Sequence, residues 1–277
     1  MSYDLFFEAG AGKTLNKKSF QAHFKSRPNY QLENGQALYQ NEDTGVYFIV
    51  DEPEEGVVPF NLNLFRPHVF GLEAAIELEA FVKAFAATVT DPQGGMEEKF
   101  SSNEFIRGWN EANEFAYRAM MQQQDAPPHT WPSKKIRDVW EWNYQLAALR
   151  EKKGEAVFAP TIFAIDMNGQ AKAVVIWPPD CAILMPAVDG VMVPLAQSGK
   201  QSEELALVPW EEVFPVLRPY LQSGRGIKRY RMAFEEWPSE VAGFLAKRRK
   251  AIPKMKGIGM DEILDREIVE RSQRDAK

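Results

Sequence analysis

Hydrophobic and polar positions at the start of the chain follow first the period of a strand and then that of a helix. Tyr3-Asp4-Leu5-Phe6-Phe7 is a short aromatic run typical of a β-strand. Phe20 and Phe24, four residues apart, mark one face of a short helix predicted near 16–26. Arg27-Pro28 ends this helix, because the residue before a proline avoids the α region.

The next sixty residues predict three strands and a longer helix. The segments 37–40 and 46–50 flank the loop Asn41-Glu42-Asp43-Thr44-Gly45, and a five-residue loop that ends in glycine suits a hairpin. Residues 60–64 alternate apolar and polar side chains, which indicates a strand with one buried face. Apolar positions from 74 to 89 keep helical spacing. The predicted order is therefore β-α-β-β-β-α.

A break at Asp91-Pro92-Gln93-Gly94-Gly95 predicts a boundary between a domain at 1–92 and a second domain at 93–277. Two helices come next, with Ser101 and Ser133 as expected N-caps and Glu104 completing a capping box with Ser101. Four short apolar segments then predict an antiparallel meander: 157–165, 170–177, 181–185 and 191–193. Further helices are expected near 210–221, 239–250 and 261–274. The predicted fold class is α+β with two domains.

The composition of the chain is typical of globular proteins that are stable without disulfide bonds. Of its 277 residues, 45% are hydrophobic, which is enough for a sizeable core. The single cysteine, Cys181, excludes an intramolecular disulfide, and its apolar neighbours favour a buried thiol. The N-terminus lacks the pattern of a signal peptide, and no apolar window is long enough to span a membrane. We therefore expect a cytoplasmic protein without a membrane partner.

The net charge of −6 is unevenly distributed. From Arg218 to Lys256 there are eleven Lys or Arg and three Asp or Glu, so this segment carries +8 and the rest of the chain −14. The chain as a whole is acidic, with a pI near 5.4, which argues against a protein dedicated to binding nucleic acids. A solvated helix end, an intramolecular contact and a nucleic-acid surface remain alternatives for the main basic positions: Arg225, Lys228, Arg229, Arg231 and Lys247-Arg248-Arg249-Lys250.

Gly10-Ala11-Gly12-Lys13-Thr14 resembles the end of a phosphate-binding loop, but the pattern around it is incomplete. The full motif requires a glycine five places before its second glycine, and that place is occupied by Phe7. A bulky side chain there prevents the backbone from wrapping a phosphate. We interpret the segment as a turn and expect no cofactor.

No catalytic or metal-binding residues are assigned from the sequence. The three histidines, His23, His68 and His129, lie too far apart in the chain to form a local metal pair. A catalytic site built from distant residues, for instance at the domain junction, stays open as an alternative. A solvated loop and metal coordination remain alternatives for the cluster of Asp51, Glu52, Glu54 and Glu55. The functional hypothesis is an acidic docking surface for a basic partner, made of these four carboxylates with Glu42 and Asp43.

The N-terminal third resembles a group of bacterial proteins found as immunity partners of toxins in polymorphic-toxin and type VI secretion systems. The likeness is carried by Tyr3-Asp4-Leu5, Asn41-Glu42-Asp43-Thr44-Gly45-Val46-Tyr47-Phe48, Phe60-Asn61-Leu62-Asn63 and Arg66-Pro67. It implies a cytoplasmic protein that neutralises a cognate toxin by binding and occluding it, without a cofactor. The motifs are structural, so the resemblance transfers no functional residue.

Overall fold

The computed structural model describes residues 1–94, 96, 99–122, 128–153, 157–178, 183–194, 205–220, 222–223, 229–232, 238–248 and 255–275. Helices and mainly antiparallel sheets make it an α+β protein, which confirms the predicted class. The chain forms two compact units: unit 1 is Met1–Ile136 with Asp261–Lys277, and unit 2 is Arg137–Met260. Unit 2 is thus an insertion in the sequence of unit 1. The predicted division at residue 92 is a different partition, and it stays a prediction about which segments fold independently.

Unit 1 is built on a six-stranded sheet in which every neighbouring pair is antiparallel, in the order β2-β3-β4-β5-β1-β6. Its strands are β1 (Ser2–Glu8), β2 (Tyr30–Glu33), β3 (Gln36–Asn41), β4 (Val46–Asp51), β5 (Val57–Asn63) and β6 (Thr88–Thr90). The sequence does not predict β2 as a separate strand. It pairs with β3 across Asn34 and Gly35, whose φ angles of 51° and 79° suit a two-residue hairpin turn.

One face of this sheet is buried because aromatic and aliphatic side chains alternate with polar ones along each strand. The β1 strand buries Tyr3, Leu5 and Phe7 and turns Asp4 outward. Three helices are α1 (Lys17–Lys25), α2 (Val69–Phe85) and α3 (Ser102–Met121). Phe81 of α2 lies 5.6 Å, centroid to centroid, from Phe7 in an edge-to-face contact. The helices therefore complete an aromatic core against the buried face.

Local signals set most helix ends. Asn16 caps α1 and forms a capping box with Ser19, which satisfies two backbone N–H groups at the start of the helix. The helix α2 ends earlier than its apolar spacing predicts, because Ala86 adopts a left-handed conformation with φ 48°. Val89 consequently lies in β6, where it pairs with Phe7.

The C-terminal segment of unit 1 returns to the N-terminal part of the chain. The strand β7 (Thr130–Trp131) pairs in parallel with β16 (Leu264–Asp265), and α8 (Arg266–Asp275) packs on α3. Leu264 and Val269 are buried in one cluster with Tyr117. Unit 1 is therefore completed by residues that follow the whole of unit 2 in the sequence.

Unit 2 contains two sheets, and their pairing corrects the predicted meander. A five-stranded sheet has the order β12-β11-β9-β8-β15, and a three-stranded sheet has the order β10-β14-β13. The strands are β8 (Phe163–Met167), β9 (Gln170–Ile176), β10 (Ile183–Pro186), β11 (Gly190–Pro194), β12 (Leu205–Pro209), β13 (Gln222–Ser223), β14 (Arg229–Met232) and β15 (Lys256–Ile258).

The predicted hairpin of β8 and β9 is confirmed, but β9 pairs with β11 in parallel and β10 belongs to the other sheet. All four residues of β10 are buried, so this strand has no solvent-facing side from which its neighbours could be inferred. Parallel pairing needs a crossover between the strands, and the chain through β10 provides it.

Among the described residues, four further helices lie between Ser133 and Arg248: α4 (Ser133–Tyr144), α5 (Leu146–Lys153), α6 (Trp210–Leu217) and α7 (Ser239–Arg248). The single helix predicted after Ser133 is in fact the pair α4 and α5, interrupted at Gln145. Val213 and Leu217 of α6 and Val241 and Leu245 of α7 are buried. Within the described ranges, no helix is both long enough and apolar enough to cross a bilayer.

Removing the side chain of Leu264 tests whether the C-terminal segment is part of the core of unit 1. We expect Leu264→Ala to lower the free energy of unfolding by about 2–5 kcal/mol, because the residue is 3% exposed and the substitution leaves a cavity. Glu270→Ala, at an exposed position in the same segment, is the matched control and should change it by less than about 0.5 kcal/mol. Urea denaturation measures both, and equal effects would refute the assignment.

His23 makes the stability of unit 1 depend on pH. Its ring lies 4.9 Å from that of Phe24 and 5.5 Å from that of Phe81, and this burial lowers the pKa of His23 from 6.5 to about 4, with a smaller contribution from Arg27. Below pH 6.5 the unfolded chain takes up a proton at His23 that the folded chain does not bind until about pH 4. The free energy of unfolding therefore falls as the pH is lowered through this window.

We expect a loss of about 1–2 kcal/mol from His23 between pH 7 and pH 4, which allows for the partial exposure of the ring. His23→Phe keeps the aromatic packing and removes the titrating group, so its stability should fall less over the same range. Denaturation curves at several pH values give the difference between the two proteins. Parallel losses in both would assign the pH dependence to other groups.

Candidate functional site

The connection from β5 to α2, residues 64–68, is held by several partly buried hydrogen bonds, and we call it the β5–α2 turn. Phe65 has a φ of 61°, which is uncommon for a residue with a side chain. The buried side chain of Asn113 fixes this backbone: its Oδ1 accepts from the N–H groups of Phe65 at 2.6 Å and Arg66 at 3.2 Å. Its Nδ2 donates to the Arg66 carbonyl at 2.8 Å, and the Tyr117 hydroxyl donates to the same oxygen at 3.1 Å.

Arg66 projects from this turn and is only partly satisfied. Its Nε and Nη2 donate to the hydroxyl oxygen of Tyr47 at 3.0 and 2.7 Å, and its Nη1 donates to the Phe65 carbonyl at 3.0 Å. Asp261 lies 3.9 Å from Nε, at the limit of an ion pair. A guanidinium has five N–H groups, so one N–H on each terminal nitrogen has no partner among the residues that the structure describes.

His68, at the end of the same turn, binds a carboxylate from the far end of the chain. Its Nδ1 lies 2.6 Å from Oδ1 of Asp265, and its backbone N–H donates to Oδ2 at 2.8 Å. Asp265 is completely buried, whereas the His68 side chain is 15% exposed. An ionised carboxylate can only accept, so Nδ1 carries the proton and Nε2 is left with its lone pair.

Tyr117 contacts both the β5–α2 turn and the C-terminal segment that carries Asp265. Its hydroxyl oxygen accepts from the backbone N–H of Asp265 at 3.3 Å while its O–H donates to the Arg66 carbonyl. Burial, together with the charge of Asp265, raises the pKa of Tyr117 well above its ordinary value. The hydroxyl therefore remains a proton donor at physiological pH.

The loop between β3 and β4, residues 41–45, is fixed by a buried glutamate. Oε1 of Glu73 accepts from Tyr39 Oη and Asn41 Nδ2, both at 2.7 Å, and from Thr44 Oγ1 at 3.2 Å. Glu73 has no exposed surface, so these donors compensate for the burial of its charge. The loop therefore presents Glu42 and Asp43 on an ordered backbone.

The six carboxylates expected to form one docking surface lie in two places. Glu42 and Asp43 are in the β3–β4 loop, whereas Asp51, Glu52, Glu54 and Glu55 are at the opposite end of the same strand pair. Five residue steps separate the pairs Asn41–Val46 and Gln36–Asp51, or about 17 Å at 3.4 Å per residue. Pairing also brings Glu33 to the second group, because Glu33 is opposite Gln36. We call Glu33, Asp51, Glu52, Glu54 and Glu55 the acidic end.

Within the acidic end, two carboxylates have side-chain partners. Glu52 binds the Lys17 ammonium at 2.8 Å and accepts a hydrogen bond from Gln21 Nε2 at 2.7 Å. The bond from Lys17, and to a smaller extent the bond from Gln21, holds the pKa of Glu52 below its usual value. Asp51 accepts from Gln36 Nε2 at 2.8 Å. Glu33, Glu54 and Glu55 are exposed.

The turn that resembles a phosphate-binding loop is packed against α2. The N–H of Gly10 donates to the Phe85 carbonyl at 3.2 Å, and a Cβ on Gly10 would lie 2.0 Å from the Ala86 carbonyl oxygen. Gly10 is therefore needed for close backbone approach. Phe7 is fully buried in β1.

Other candidates from the sequence are not described in full. Cys181, Arg225, Lys228, Arg249 and Lys250 lie outside the described residues. Arg229 and Arg231 lie in β14, and Lys247 is exposed on α7. No group of three or more potential metal-binding side chains occurs in the part of the chain that the structure covers.

Comparisons with family models, curated proteins and solved structures find no match for this chain.

Asn113 should be essential to the β5–α2 turn. Asn113→Ala leaves the N–H groups of Phe65 and Arg66 without their acceptor, and we expect it to lower the free energy of unfolding by about 2–4 kcal/mol. Asn110→Ala, at a half-exposed position one turn earlier in α3, should change it by less than about 0.5 kcal/mol. Chemical denaturation distinguishes them, and a neutral Asn113→Ala would show that the turn does not depend on this side chain.

Proposed function

We propose that this chain is a cytoplasmic immunity protein that binds and occludes a cognate protein toxin, and that a basic nuclease suits its charge best. The observation that carries the proposal is a concentration of negative charge. Between Arg27 and Lys83 there are ten Asp or Glu residues, and Arg66 is the one Lys or Arg among them. Of the ten, Glu73 and Glu77 are buried, and the other eight reach the surface.

The negative charge belongs to unit 1. Its two segments contain 25 Asp or Glu and 16 Lys or Arg, a net charge of −9, whereas unit 2 contains 14 and 17, a net charge of +3. Complementary charge speeds association and disfavours partners of the wrong sign. A nuclease needs a basic cleft to hold phosphates. An acidic surface is therefore suited to bind such a cleft and block the access of nucleic acid to it.

The acidic end supports the proposal more strongly than the β3–β4 loop. It gathers five carboxylates from β2, β4 and the loop after β4. Among the ion pairs of the described residues, Glu52 is the one member of this group that binds a cation, Lys17. The backbone beneath the acidic end is ordered, since the Glu52 N–H donates to the Gly35 carbonyl at 2.7 Å. An ordered surface loses little conformational entropy on binding, so more of the interaction energy appears as affinity.

Charge reversal at the acidic end tests the proposal. The protein is co-produced with toxin domains encoded beside its gene, and protection from growth arrest and affinity for the purified toxin domain are both measured. We expect Glu33→Lys with Glu54→Lys to weaken binding at least about tenfold, mainly by slowing association, and to reduce its dependence on salt. Both side chains are exposed, so the fold should be unaffected.

The matched control is Glu42→Lys with Asp43→Lys, which makes the same change in charge about 17 Å away. A smaller effect of this pair would assign docking to the acidic end, and a larger one would move it to the β3–β4 loop. The immunity proposal itself fails if no neighbouring toxin is bound and none is neutralised.

A further inference from the structure

The imidazole of His68 has an environment that helix initiation alone does not require. Its backbone N–H donates to Oδ2 of Asp265 at the start of α2, and a residue of another type at position 68 would supply the same N–H. The ring makes a separate hydrogen bond, from Nδ1 to Oδ1 at 2.6 Å. Asp265 thus orients the imidazole and fixes its tautomer in addition to capping the helix.

The opposite ring nitrogen is available for proton transfer. With the proton on Nδ1, Nε2 carries a lone pair, and it has no hydrogen-bond partner in the described part of the protein. The buried carboxylate behind the ring holds the imidazole in this tautomer and orientation. This is the arrangement by which a histidine acts as a general base.

We propose that His68 is the general base of a hydrolytic site that acts on neutral or cationic carboxylic esters. This activity goes beyond the immunity role, and it rests on different residues. The charge of the region selects the substrate class. A phosphate ester would bring permanent negative charge to a turn where Asp261 and Asp265 outnumber Arg66, whereas a carboxylic ester becomes negative only in the transition state. Arg66, on the same turn, is the cation nearest in sequence, with free N–H groups to stabilise that charge.

The reaction consumes only water. Nε2 of His68 accepts a proton from a water molecule as the water oxygen forms a bond to the ester carbonyl carbon. The resulting tetrahedral oxyanion collapses, the bond from carbon to the alkoxide oxygen breaks, and the proton passes from Nε2 to the leaving alkoxide. The products are a carboxylic acid and an alcohol, and His68 returns to its initial state.

The test uses the full chain and p-nitrophenyl acetate as the probe. We expect saturable hydrolysis by the wild-type protein and a loss of at least about tenfold in kcat/KM in His68→Asn, since general-base catalysis contributes about 10²–10⁴-fold. Asparagine retains a donor close to the position of Nδ1, so the bond to Asp265 and the fold are preserved; circular dichroism and thermal unfolding verify this. Protection against a toxin should be the same in both proteins.

His129→Asn controls for hydrolysis by any accessible imidazole and should retain the wild-type rate. Wild-type hydrolysis that does not saturate, or that equals the rate of His68→Asn, would overturn the proposal. A second measurement needs no variant: ¹⁵N NMR of the wild-type protein should show His68 protonated at Nδ1 and not at Nε2 in its neutral form. A neutral ring protonated at Nε2 would also overturn it.

Discussion

The carboxylate of Asp265 is fully buried, and unit 1 depends on how its charge is satisfied. Ionised groups are stable in a protein interior only when donors replace the lost water. Asp265 finds two of its donors on His68, 197 residues earlier in the chain: the ring Nδ1–H and the backbone N–H. The chain can therefore leave unit 1 for about 120 residues and still complete it, because a misplaced return would leave this charge without partners.

The same principle operates at Glu73, and together the two acids explain why the N-terminal part of the chain has ordered loops. Glu73 is fixed in α2 and gathers Tyr39, Asn41 and Thr44, so the β3–β4 loop is defined by a buried acceptor. Asp265 does the same for the β5–α2 turn through His68. In both cases a hydrophobic side chain of similar volume could fill the space, but it would not specify which polar groups must meet.

Local chemistry in the sequence predicts much of the fold of unit 1. Ser101, the spacing of Phe20 and Phe24, and the alternation along β1 and β5 act through neighbouring residues, so the elements they predict are found. The sequence does not predict β2, although Asn34-Gly35 favours a hairpin turn, because the four residues of this strand bury no side chain completely. In unit 2, period-2 alternation identifies strands but not their partners, so the parallel pairing of β9 with β11 was not predictable from it.

The sequence predicts the candidate sites far less well, because they depend on contacts between distant residues. Asp265 resembles any acidic residue at the start of a C-terminal helix until the fold brings it to His68. The acidic residues were visible as a set, but only the strand register shows that Glu33 joins Asp51, whereas Glu42 and Asp43 lie at the other end.

The acidic end and the His68 site lie at opposite ends of β5, so the proposed binding and the proposed hydrolysis use different parts of unit 1. The surface charge that would attract a basic protein is concentrated at the acidic end, while His68 lies beyond the opposite end of β5, where one arginine and two aspartates are the nearby charged groups. Six residue steps separate Val57 from Asn63 along β5, about 20 Å at 3.4 Å per residue, and a Debye length of about 8 Å largely screens exposed charges over such a distance. Binding at one end therefore need not alter the electrostatics of proton transfer at the other.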